Sequence, residues 1–370
     1  MNSSVTAQTQ KTASEGALDY TAQLQAMLDR GGLVCVPPGE FTISSALLIG
    51  DDTRLVLSPA TVLRLAPGAN CPILTNRDKG KLPTRNVTIE GGVWDGNNRH
   101  QHRPGAGMKY AWAQFICLTS MENLTLRDMV IKDPESYAVQ LMAVDGFTVE
   151  NITFDFNMLR ENMDGIHING PARNGCIRNI RGSTNDDMIA LNSDEGFPYS
   201  DNCDISDISI DGLYGGMNGY NAVRLLSRRS RVRNISIRNV FGEYRYHAVS
   251  FTHFSGKGGD LGWFDGITLD GIYASFVRAH QNFGGLIYFQ EGVNQAGSIT
   301  IRNVVRIEAD GRANPFYTIR LRENTHVRRL DLANIYQCIT DAQRPVLKTE
   351  PTTVIDELYI NGSRRDVPGA

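Results

Sequence analysis

Long hydrophobic runs and an excess of charge of one sign are both missing from this 370-residue sequence. No stretch of about 18 consecutive apolar residues occurs, so the sequence predicts no transmembrane helix and no membrane partner. Lysine and arginine number 37 and aspartate and glutamate 40, which leaves a formal charge of −3. Because nucleic-acid-binding proteins normally carry a basic excess, this balance argues against a nucleic-acid partner.

Cysteine is scarce and has no metal-binding spacing. No C-x-x-C pair occurs, which excludes the usual zinc patterns, and nothing indicates a disulfide framework. We expect most of the six cysteines to be small buried apolar side chains. They are Cys35, Cys71, Cys117, Cys176, Cys203 and Cys338.

The N-terminal segment lacks the features of a secretory leader. Residues 1–16 are polar and contain no apolar stretch of the kind found in signal peptides. The sequence fits a cytoplasmic protein, or an extracellular or periplasmic one from which a leader has been removed. We interpret residues 1–17 as a disordered or tag-like N-terminus and residues 18–370 as a single domain. The oligomeric state does not follow from the sequence.

Glycine, by contrast, is abundant, and a short pattern repeats along the chain. The 36 glycines have no every-third-residue period, which excludes collagen and favours many tight turns. The repeat is apolar, any, apolar, any, then Asn, Asp or Gly, and its mean spacing is about 30 residues, as in solenoid proteins. Alternation with a period of two predicts a short strand, and the fifth residue a left-handed turn. The copies are VTIEGG at 87, LTLRDM at 124, FTVENI at 147, GCIRNI at 175, ISIDGL at 208, ISIRNV at 235, ITLDGI at 267, ITIRNV at 299, LDLANI at 330 and LYINGS at 358.

A second alternating strand recurs once per repeat, and no helical periodicity lies between the two. This arrangement predicts an all-β fold, a right-handed single-stranded parallel β-helix of about ten coils. Residues 19–29 have helical spacing and are expected to cap its N-terminal end, with the first coils in residues 36–65. The second strands are predicted at 138–142, 165–169, 188–192, 222–226, 248–252, 286–290 and 318–322.

Stacked coils turn the outward positions of the second strand into columns of side chains about 4.8 Å apart. Asp164 and Asp187 are neighbours in one column, and Asp186 directly precedes Asp187. Carboxyl groups this close cannot all ionise independently, which is the condition that acid/base cleavage of a glycosidic bond requires. The other outward polar groups favour a polyhydroxylated ligand, and those expected to contact a carbohydrate substrate are His167, Asn192, Asn221, Arg224 and His247.

These residues resemble a known family. ENMDGIHING (161–170) followed by STNDDMIALNSD (183–194) is similar to the Asn-X-Asp-Gly and Asp-Asp signatures of the polygalacturonase-like glycoside hydrolases, family 28. EGGVWDGNNRH (90–100) and GGLVCVPPGEF (31–41) extend the likeness, which covers roughly residues 18–250. The resemblance implies a β-helix and an inverting hydrolase that needs no cofactor. It also implies that Asp186 is the general acid and that Asp164 and Asp187 hold and activate the water.

The sequence departs from the family at its cationic and histidine positions. The family's Gly-His-Gly histidine corresponds to Asn221, and its Arg-Ile-Lys triplet to Ser250-Phe251-Thr252. Plain polygalacturonate is therefore not the expected substrate. Arg224, or Arg320 and Arg322, could replace the missing cations, and His247 lies one coil beyond Asn221 in the same column.

Weaker signals lie in and around residues 94–113. His100 and His102 form an H-x-H pair without a visible third ligand, so no metal site is predicted. Trp94, Tyr110 and Trp112 could form a sugar-stacking wall, although packing of Trp94 under the loop fits equally well. Asn-X-Ser/Thr sequences recur in phase with the repeat and are interpreted as turn residues rather than glycan sites; they begin at Asn86, Asn123, Asn151 and Asn234.

Three functions remain open from the sequence. The leading one is an inverting glycoside hydrolase. A polysaccharide lyase or uronate epimerase could use the same scaffold, with a base and a group that neutralises a uronate. A non-catalytic carbohydrate-binding or tailspike-like β-helix is the third.

Overall fold

The computed structural model describes residues 18–78, 81–102, 114–195, 202–216, 219–253, 262–276, 284–293, 295–308 and 315–367. Within these ranges the chain forms one α-helix, α1 (Thr21–Leu28), one short 3-10 helix (Asn98–His100) and a continuous sheet of 23 strands. The strands are β1 (Gly32–Val36), β2 (Gly39–Ile43), β3 (Leu47–Ile49), β4 (Thr53–Leu57), β5 (Thr61–Leu65), β6 (Leu74–Asn76), β7 (Thr84–Glu90), β8 (Val93–Asp95), β9 (Ile116–Lys132), β10 (Val139–Asp155), β11 (Ile166–Ser183), β12 (Asp187–Asn192), β13 (Ile205–Gly215), β14 (Gly219–Leu226), β15 (Arg231–Thr252), β16 (Trp263–Phe276), β17 (Gly285–Phe289), β18 (Gln295–Ile307), β19 (Tyr317–Leu321), β20 (His326–Cys338), β21 (Leu347–Lys348), β22 (Val354–Ile360) and β23 (Ser363–Arg365).

The fold is a right-handed parallel β-helix, as the repeat predicts. The third residue of each repeat pairs with the third residue of the next in one parallel ladder, from Ile89 to Ile360. The ladder begins two coils earlier than the recognised repeat, because Val34 pairs with Leu55 and Leu55 with Ile89. Only the terminal β23 pairs in the antiparallel direction, with β22, among the pairings of the described residues.

Each coil contains three strand segments rather than the two that the sequence indicated. The third segment is an extension beyond the repeat, where long strands such as β15 bend and continue, so that Val240 pairs with Leu213 and Ile272. Its sequence alternation merges with that of the repeat, which explains why it was not recognised as a separate strand.

The left-handed turns predicted at the fifth residue of the repeat are confirmed. The fifth residue of every repeat has a positive φ, between 52° and 83°, which only Gly, Asn and Asp adopt readily. Asn86, Asn123, Asn151 and Asn234 also have positive φ, from 54° to 60°, as expected for turn residues. Because the same turn recurs in every coil, the register of the strands is kept along the whole ladder.

The core is a column of apolar side chains inside the coils. The predicted inward pairs of the second strand are fully buried, from Val139 and Leu141 to Ile319 and Leu321. Helix α1 buries Leu24 and Leu28 against the first coil and caps it, as predicted. Since each coil buries its apolar residues only against its neighbours, the cap removes the exposed end.

Two details of the sequence interpretation are corrected or resolved. Only Cys117 and Cys203 are buried, so the expectation that most cysteines are buried is wrong; Cys35 and Cys338 lie on outward positions of their strands and are exposed. Trp94 is fully buried and donates its indole N–H to Gly91 O at 3.0 Å, so it belongs to the core and is not available to stack on a sugar. The other two residues of the predicted sugar-stacking group, 110 and 112, lie outside the described residues.

Among the described residues, no helix has the length and apolar character needed to span a bilayer.

Candidate active site

One face of the β-helix, which we call the site face, carries the predicted acids. It consists of β3, β6, the first residues of β9, β10 and β11, then β12, β14, the end of β15, β17, β19 and β21. Asp187 pairs with Asn221, and Asn221 with His247, as the predicted column requires. Asp164 lies one coil earlier, where Gly165 N donates to Asp187 O at 2.9 Å.

Gly165 allows Asp164 and the next coil to approach closely. A Cβ at this position would lie 2.4 Å from Met188 O and 2.4 Å from the Phe154 ring. Both distances are far below van der Waals contact, so the glycine of the Asp-Gly pair is required by the packing of neighbouring coils. Asp164 therefore enters the site face at a point fixed by the main chain.

Asp164 is paired with a histidine below the surface. His167 Nδ1 lies 2.7 Å from Asp164 Oδ2, and His167 Nε2 lies 3.2 Å from Glu195 Oε2. The Tyr137 ring stacks on the imidazole at 3.8 Å, nearly parallel. The imidazole is thus clamped between two carboxylates and one aromatic ring.

Asp187 is held by a neutral and a cationic partner. Asn221 Nδ2 donates to Asp187 Oδ1 at 2.7 Å, and Arg224 Nη1 lies 3.6 Å from Asp187 Oδ2. Arg224 Nε also donates to Thr252 Oγ1 at 3.0 Å. The asparagine that stands at the family's histidine position therefore binds a catalytic candidate directly.

Asp186 is the most accessible of the three acids. Its side chain is half-buried, whereas Asp164 and Asp187 are buried. Asn162 Nδ2 donates to its Oδ2 at 3.1 Å, and Asp187 N donates to its Oδ1 at 3.0 Å. Its position at the rim suits a group that must reach the leaving oxygen of a substrate.

The pKa values of the three acids depend on one another. Burial, followed by the charge of Asp186, raises the pKa of Asp164 well above its ordinary value and that of Asp187 to about 7. Burial also raises the pKa of Asp186, against the lowering effect of the Arg224 charge. The three groups therefore titrate as one cluster that retains a proton near neutral pH.

The His167–Glu195 pair is charged under the same conditions. Burial opposes the charge on His167, but its hydrogen bonds to Asp164 and Glu195 raise its pKa to about 9. Burial likewise opposes the charge on Glu195, but the hydrogen bond and charge of His167 hold its pKa at about 2. The site thus has a fixed positive charge behind Asp164.

Two carboxylate oxygens, one on each neighbouring coil, have unused hydrogen-bonding capacity. Asp164 Oδ1 and Asp187 Oδ2 are buried and accept no hydrogen bond from the described residues. Buried acceptors of this kind are rare in folded proteins, because each leaves a desolvated oxygen unpaired. Both oxygens are therefore available as acceptors in the acid cluster.

Glu195 was not predicted from the sequence. It follows β12 in a turn, and Asn192 Nδ2 donates to its carboxylate, while Asn169 Nδ2 donates to its main-chain oxygen at 3.1 Å. The neighbouring Asp194 Oδ2 accepts three main-chain N–H groups of residues 228–230, at 2.7–2.9 Å. The S-D-E-G sequence after a strand contains a turn signal, but not this set of partners.

The remaining substrate-binding candidates occupy different environments. Asn192 is buried in the site face next to His167, at 3.5 Å. His247 is buried, with Nδ1 2.6 Å from Gly285 O and its ring stacked on Tyr288, and burial lowers its pKa to about 4. Its imidazole is therefore neutral and held in the wall of the site face.

Arg320 and Arg322 lie three coils further along than Arg224 on the site face, roughly 14 Å from it at the usual strand spacing. Arg320 pairs with Glu350 at 2.9 Å and Arg322 with Glu323 at 2.7 Å. The structure thus keeps them away from the acids, whereas it brings Arg224 into the cluster.

No group of three or more His, Cys, Asp or Glu in the described parts of the chain is arranged to hold a metal ion. His100 Nδ1 contacts Asn97 Oδ1 at 2.8 Å and lies in the short 3-10 helix.

Comparison with known proteins agrees with the fold and with the motifs. Residues 80–239 match the model of the glycosyl hydrolases family 28, a segment that includes all three acids. No curated protein sequence matches the chain.

Solved structures share the β-helix at low sequence identity. The family 28 exopolygalacturonase of Yersinia enterocolitica is 12% identical with a TM-score of 0.60, over 95% of this chain and 77% of that one. The A-module of the mannuronan C-5 epimerase AlgE4 of Azotobacter vinelandii is 14% identical with a TM-score of 0.55, over 91% and 97%. The surface protein and adhesin PfbA of Streptococcus pneumoniae is 15% identical with a TM-score of 0.53, over 94% and 95%.

At such identities these structures establish the fold alone, since enzymes and an adhesin share it. The segment that matches the family model contains the sequence motifs. The site face presents the acids in their predicted order. The match over residues 80–239 and the order of the acids make the chain similar to the family 28 glycosyl hydrolases, although its sequence lacks that family's histidine and Arg-X-Lys pair at the corresponding positions.

Proposed function

We propose that the protein is a glycoside hydrolase that cleaves a glycosidic bond in a polysaccharide or oligosaccharide with inversion at the anomeric carbon. The observation that carries this proposal is the pair of buried carboxylate oxygens, Asp164 Oδ1 and Asp187 Oδ2, next to the half-buried Asp186. An inverting hydrolase needs one acid at the leaving oxygen and carboxylates that activate a water on the other side of the sugar.

Each acid has a distinct role in this proposal. Asp186 donates its proton to the glycosidic oxygen as the bond to the anomeric carbon breaks. Asp164 and Asp187 orient a water molecule and accept its proton as its oxygen bonds to the anomeric carbon. The cluster then returns to its starting protonation state by exchange with solvent.

The charges around the acids disfavour plain polygalacturonate as the substrate. His167 lies between Asp164 and Glu195, and Arg224 lies beside Asp187. Both cations are therefore already balanced by carboxylates. A chain of uronates would bring further negative charge to a cluster of acids.

A lyase or epimerase, or a glycan-binding protein without activity, would share the fold. A lyase would leave a new double bond in its product, which absorbs ultraviolet light, and an epimerase would change the sugar without shortening the chain. A screen of neutral and acidic polysaccharides, followed by product mass and by NMR of the newly formed anomeric centre, separates these outcomes. Shortened products with inverted configuration are the expected result.

The role of Asp186 is tested with Asp186→Asn on the glycan that the parent protein cleaves. We expect kcat to fall by about 10²–10⁴-fold, the usual contribution of a general acid. The same variant should retain most of its activity on the corresponding glycosyl fluoride, because fluoride leaves without a proton. Asp155→Asn is the matched control, since Asp155 pairs with Lys132 on an exposed surface. Full activity of Asp186→Asn on the glycan would refute the assignment.

A further inference from the structure

A group of aromatic and cationic side chains lies beside Asp186 and has no role in the proposed chemistry. It consists of Tyr220, Arg245 and Tyr246, which we call the aromatic wall. Tyr220 directly precedes Asn221, and Tyr246 directly precedes His247, just as Asp186 directly precedes Asp187. The wall therefore continues the rim of the site face on which Asp186 lies.

A β-bulge creates the wall. Gly219 pairs with Tyr244, but Asn221 pairs with His247, so β15 has one residue more than β14 between these pairs. Arg245 and Tyr246 together thus oppose the single Tyr220. Bulges next to functional sites commonly redirect side chains in this way.

The side chains of the wall are held against one another. The rings of Tyr220 and Tyr246 have centroids 4.0 Å apart, at 35°, and the Arg245 guanidinium lies 5.2 Å from the centre of the Tyr220 ring. Arg245 Nη2 donates to Asn185 Oδ1 at 2.6 Å, and Asn185 directly precedes Asp186. Asn185 Nδ2 in turn donates to Arg160 O at 2.7 Å, so the wall is tied to the segment that carries the acid.

The wall also lies within the electrostatic reach of the acids. Burial, the hydrogen bond to Tyr246 and the charge of Asp186 raise the pKa of the Tyr220 hydroxyl, so the phenol stays neutral. Both tyrosines are half-buried rather than enclosed in the core. An aromatic surface is thus fixed beside the group that would protonate the leaving oxygen.

We propose that the aromatic wall is the subsite that binds the leaving-group sugar of a pyranoside chain. A pyranose has one face made mainly of C–H groups, which packs against an aromatic ring and buries apolar area. The tyrosine hydroxyls lie at the edges of the rings, where sugar hydroxyls need partners, and the Arg245 guanidinium lies over the Tyr220 ring. The wall lies on the Asp186 side because the acid must reach the oxygen of the departing sugar.

This inference rests on the proposed hydrolase activity, and it is tested by comparing substrates with and without a leaving-group sugar. The probes are cellohexaose, xylohexaose, mannohexaose and hexagalacturonate, together with the glycosyl fluoride that matches the hexaose cleaved. The variants are Tyr246→Ala, Tyr246→Phe, which keeps the ring, and Tyr273→Ala as the control. Tyr273 stacks on Phe241 at 5.2 Å on another face of the β-helix.

We expect Tyr246→Ala to lower kcat/KM on the hexaose by about tenfold, the effect of losing one good stacking contact. Activity of that variant on the glycosyl fluoride should change less than about twofold. Tyr246→Phe and Tyr273→Ala should stay near the parent on both substrates. Thermal unfolding of each variant checks that it is folded at the assay temperature.

Two results would overturn the subsite. One is an equal change on the hexaose and the fluoride, which would indicate a structural role for Tyr246. The other is no change on the hexaose. If the parent cleaves no probe, the proposed hydrolase activity fails by itself, and calorimetric binding of the same hexaoses then tests the subsite. Weaker binding by Tyr246→Ala supports the subsite. Equal binding, or no binding, rejects it.

Discussion

His167 and Asp164 form a buried ion pair, with His167 Nδ1 2.7 Å from Asp164 Oδ2 and both side chains at most 3% exposed. Burial opposes the charge on His167, but its hydrogen bonds to Asp164 and to Glu195, on the other side of the imidazole, raise its pKa to about 9. The cation lowers the pKa of Asp164, which burial and the Asp186 charge raise. We expect His167 to act as a positioning residue through Asp164.

Replacement of His167 is expected to change the pH profile as well as the rate. His167→Gln removes the positive charge, so the pKa of Asp164 rises further and the acidic limb of kcat/KM moves to higher pH. Loss of the fixed geometry should lower kcat/KM by about 10–100-fold. The measurement is kcat/KM against pH for parent, His167→Gln and Glu195→Gln. A lower rate with an unshifted acidic limb would show that His167 only supports the fold.

The free energy of unfolding should be greatest in mildly acidic solution. The raised pKa of His167 contributes stability that is complete below pH 6.5 and lost as pH rises through about 9. The raised pKa of Asp187 contributes stability that is complete below 3.8 and lost as pH rises through about 7. The lowered pKa of Glu195 contributes stability that is present above 4.5 and lost as pH falls toward 2. Each linkage amounts to about 3 kcal/mol in order of magnitude.

Urea unfolding from pH 3 to 10 measures this dependence, with His167→Gln as the comparison, because it should flatten the decline above pH 6.5. A stability maximum above pH 8 would contradict the assigned charges.

Asp187→Asn should make the protein more stable and less active. At pH 8 the parent holds an ionised carboxylate in a buried acidic cluster, and the substitution removes that charge. We expect the free energy of unfolding to rise by about 1 kcal/mol at pH 8 and not to rise at pH 4, where the carboxyl is protonated. Hydrolysis should fall by about 10²-fold or more. Asp155→Asn serves as the control, and destabilisation at pH 8 would argue against the raised pKa.

The turn that carries Glu195 should depend on Asp194. Besides the three main-chain N–H groups, Asp194 accepts the hydroxyl of Ser230 at 2.8 Å. Asp194→Ala leaves these donors unpaired and should lower the free energy of unfolding by about 2–3 kcal/mol. Hydrogen exchange at residues 228–230 should quicken, while Asp155→Ala leaves it unchanged. Unaltered exchange there would show that other contacts hold the turn.

Gly165→Ala tests the close approach of coils at the acids. Its new methyl group would meet Met188 O and the Phe154 ring at 2.4 Å, so main chain must move. We expect a loss of about 3 kcal/mol or more in the free energy of unfolding. Gly50→Ala is the control, because a Cβ there meets nothing within 4 Å. Equal melting temperatures for the two variants would mean that the coils are farther apart than described.

Local alternation and turn residues were sufficient to predict the β-helix, its cap and the columns of the site face. The prediction succeeds because a stacked coil keeps its register: each inward residue lies on the equivalent residue of the next coil, as Ile166 does on Ile189. Asp164, Asp187, Asn221 and His247 could therefore be placed in one column without coordinates. Their catalytic and binding roles stay predictions.

Features that depend on contacts between distant residues could not be predicted from local sequence patterns. Glu195 lies beside His167 in a turn held by Asn169, and the neighbouring Asp194 binds main chain more than 30 residues away. No local pattern encodes these contacts. The bulge that turns Arg245 and Tyr246 toward Tyr220 consists of one extra residue. It could not be recognised from the sequence, because the spacing of the repeat already varies by more than one residue.

The sequence by itself determined the scaffold and the column of acids, because strand alternation and left-handed turns act over a few residues. Only the tertiary structure decided the electrostatics of the site: which cation faces which acid, which carboxylate oxygens lack partners, and which aromatic rings border Asp186. Those properties arise from burial and from side chains brought together across neighbouring coils, and such distances are set by the folded chain.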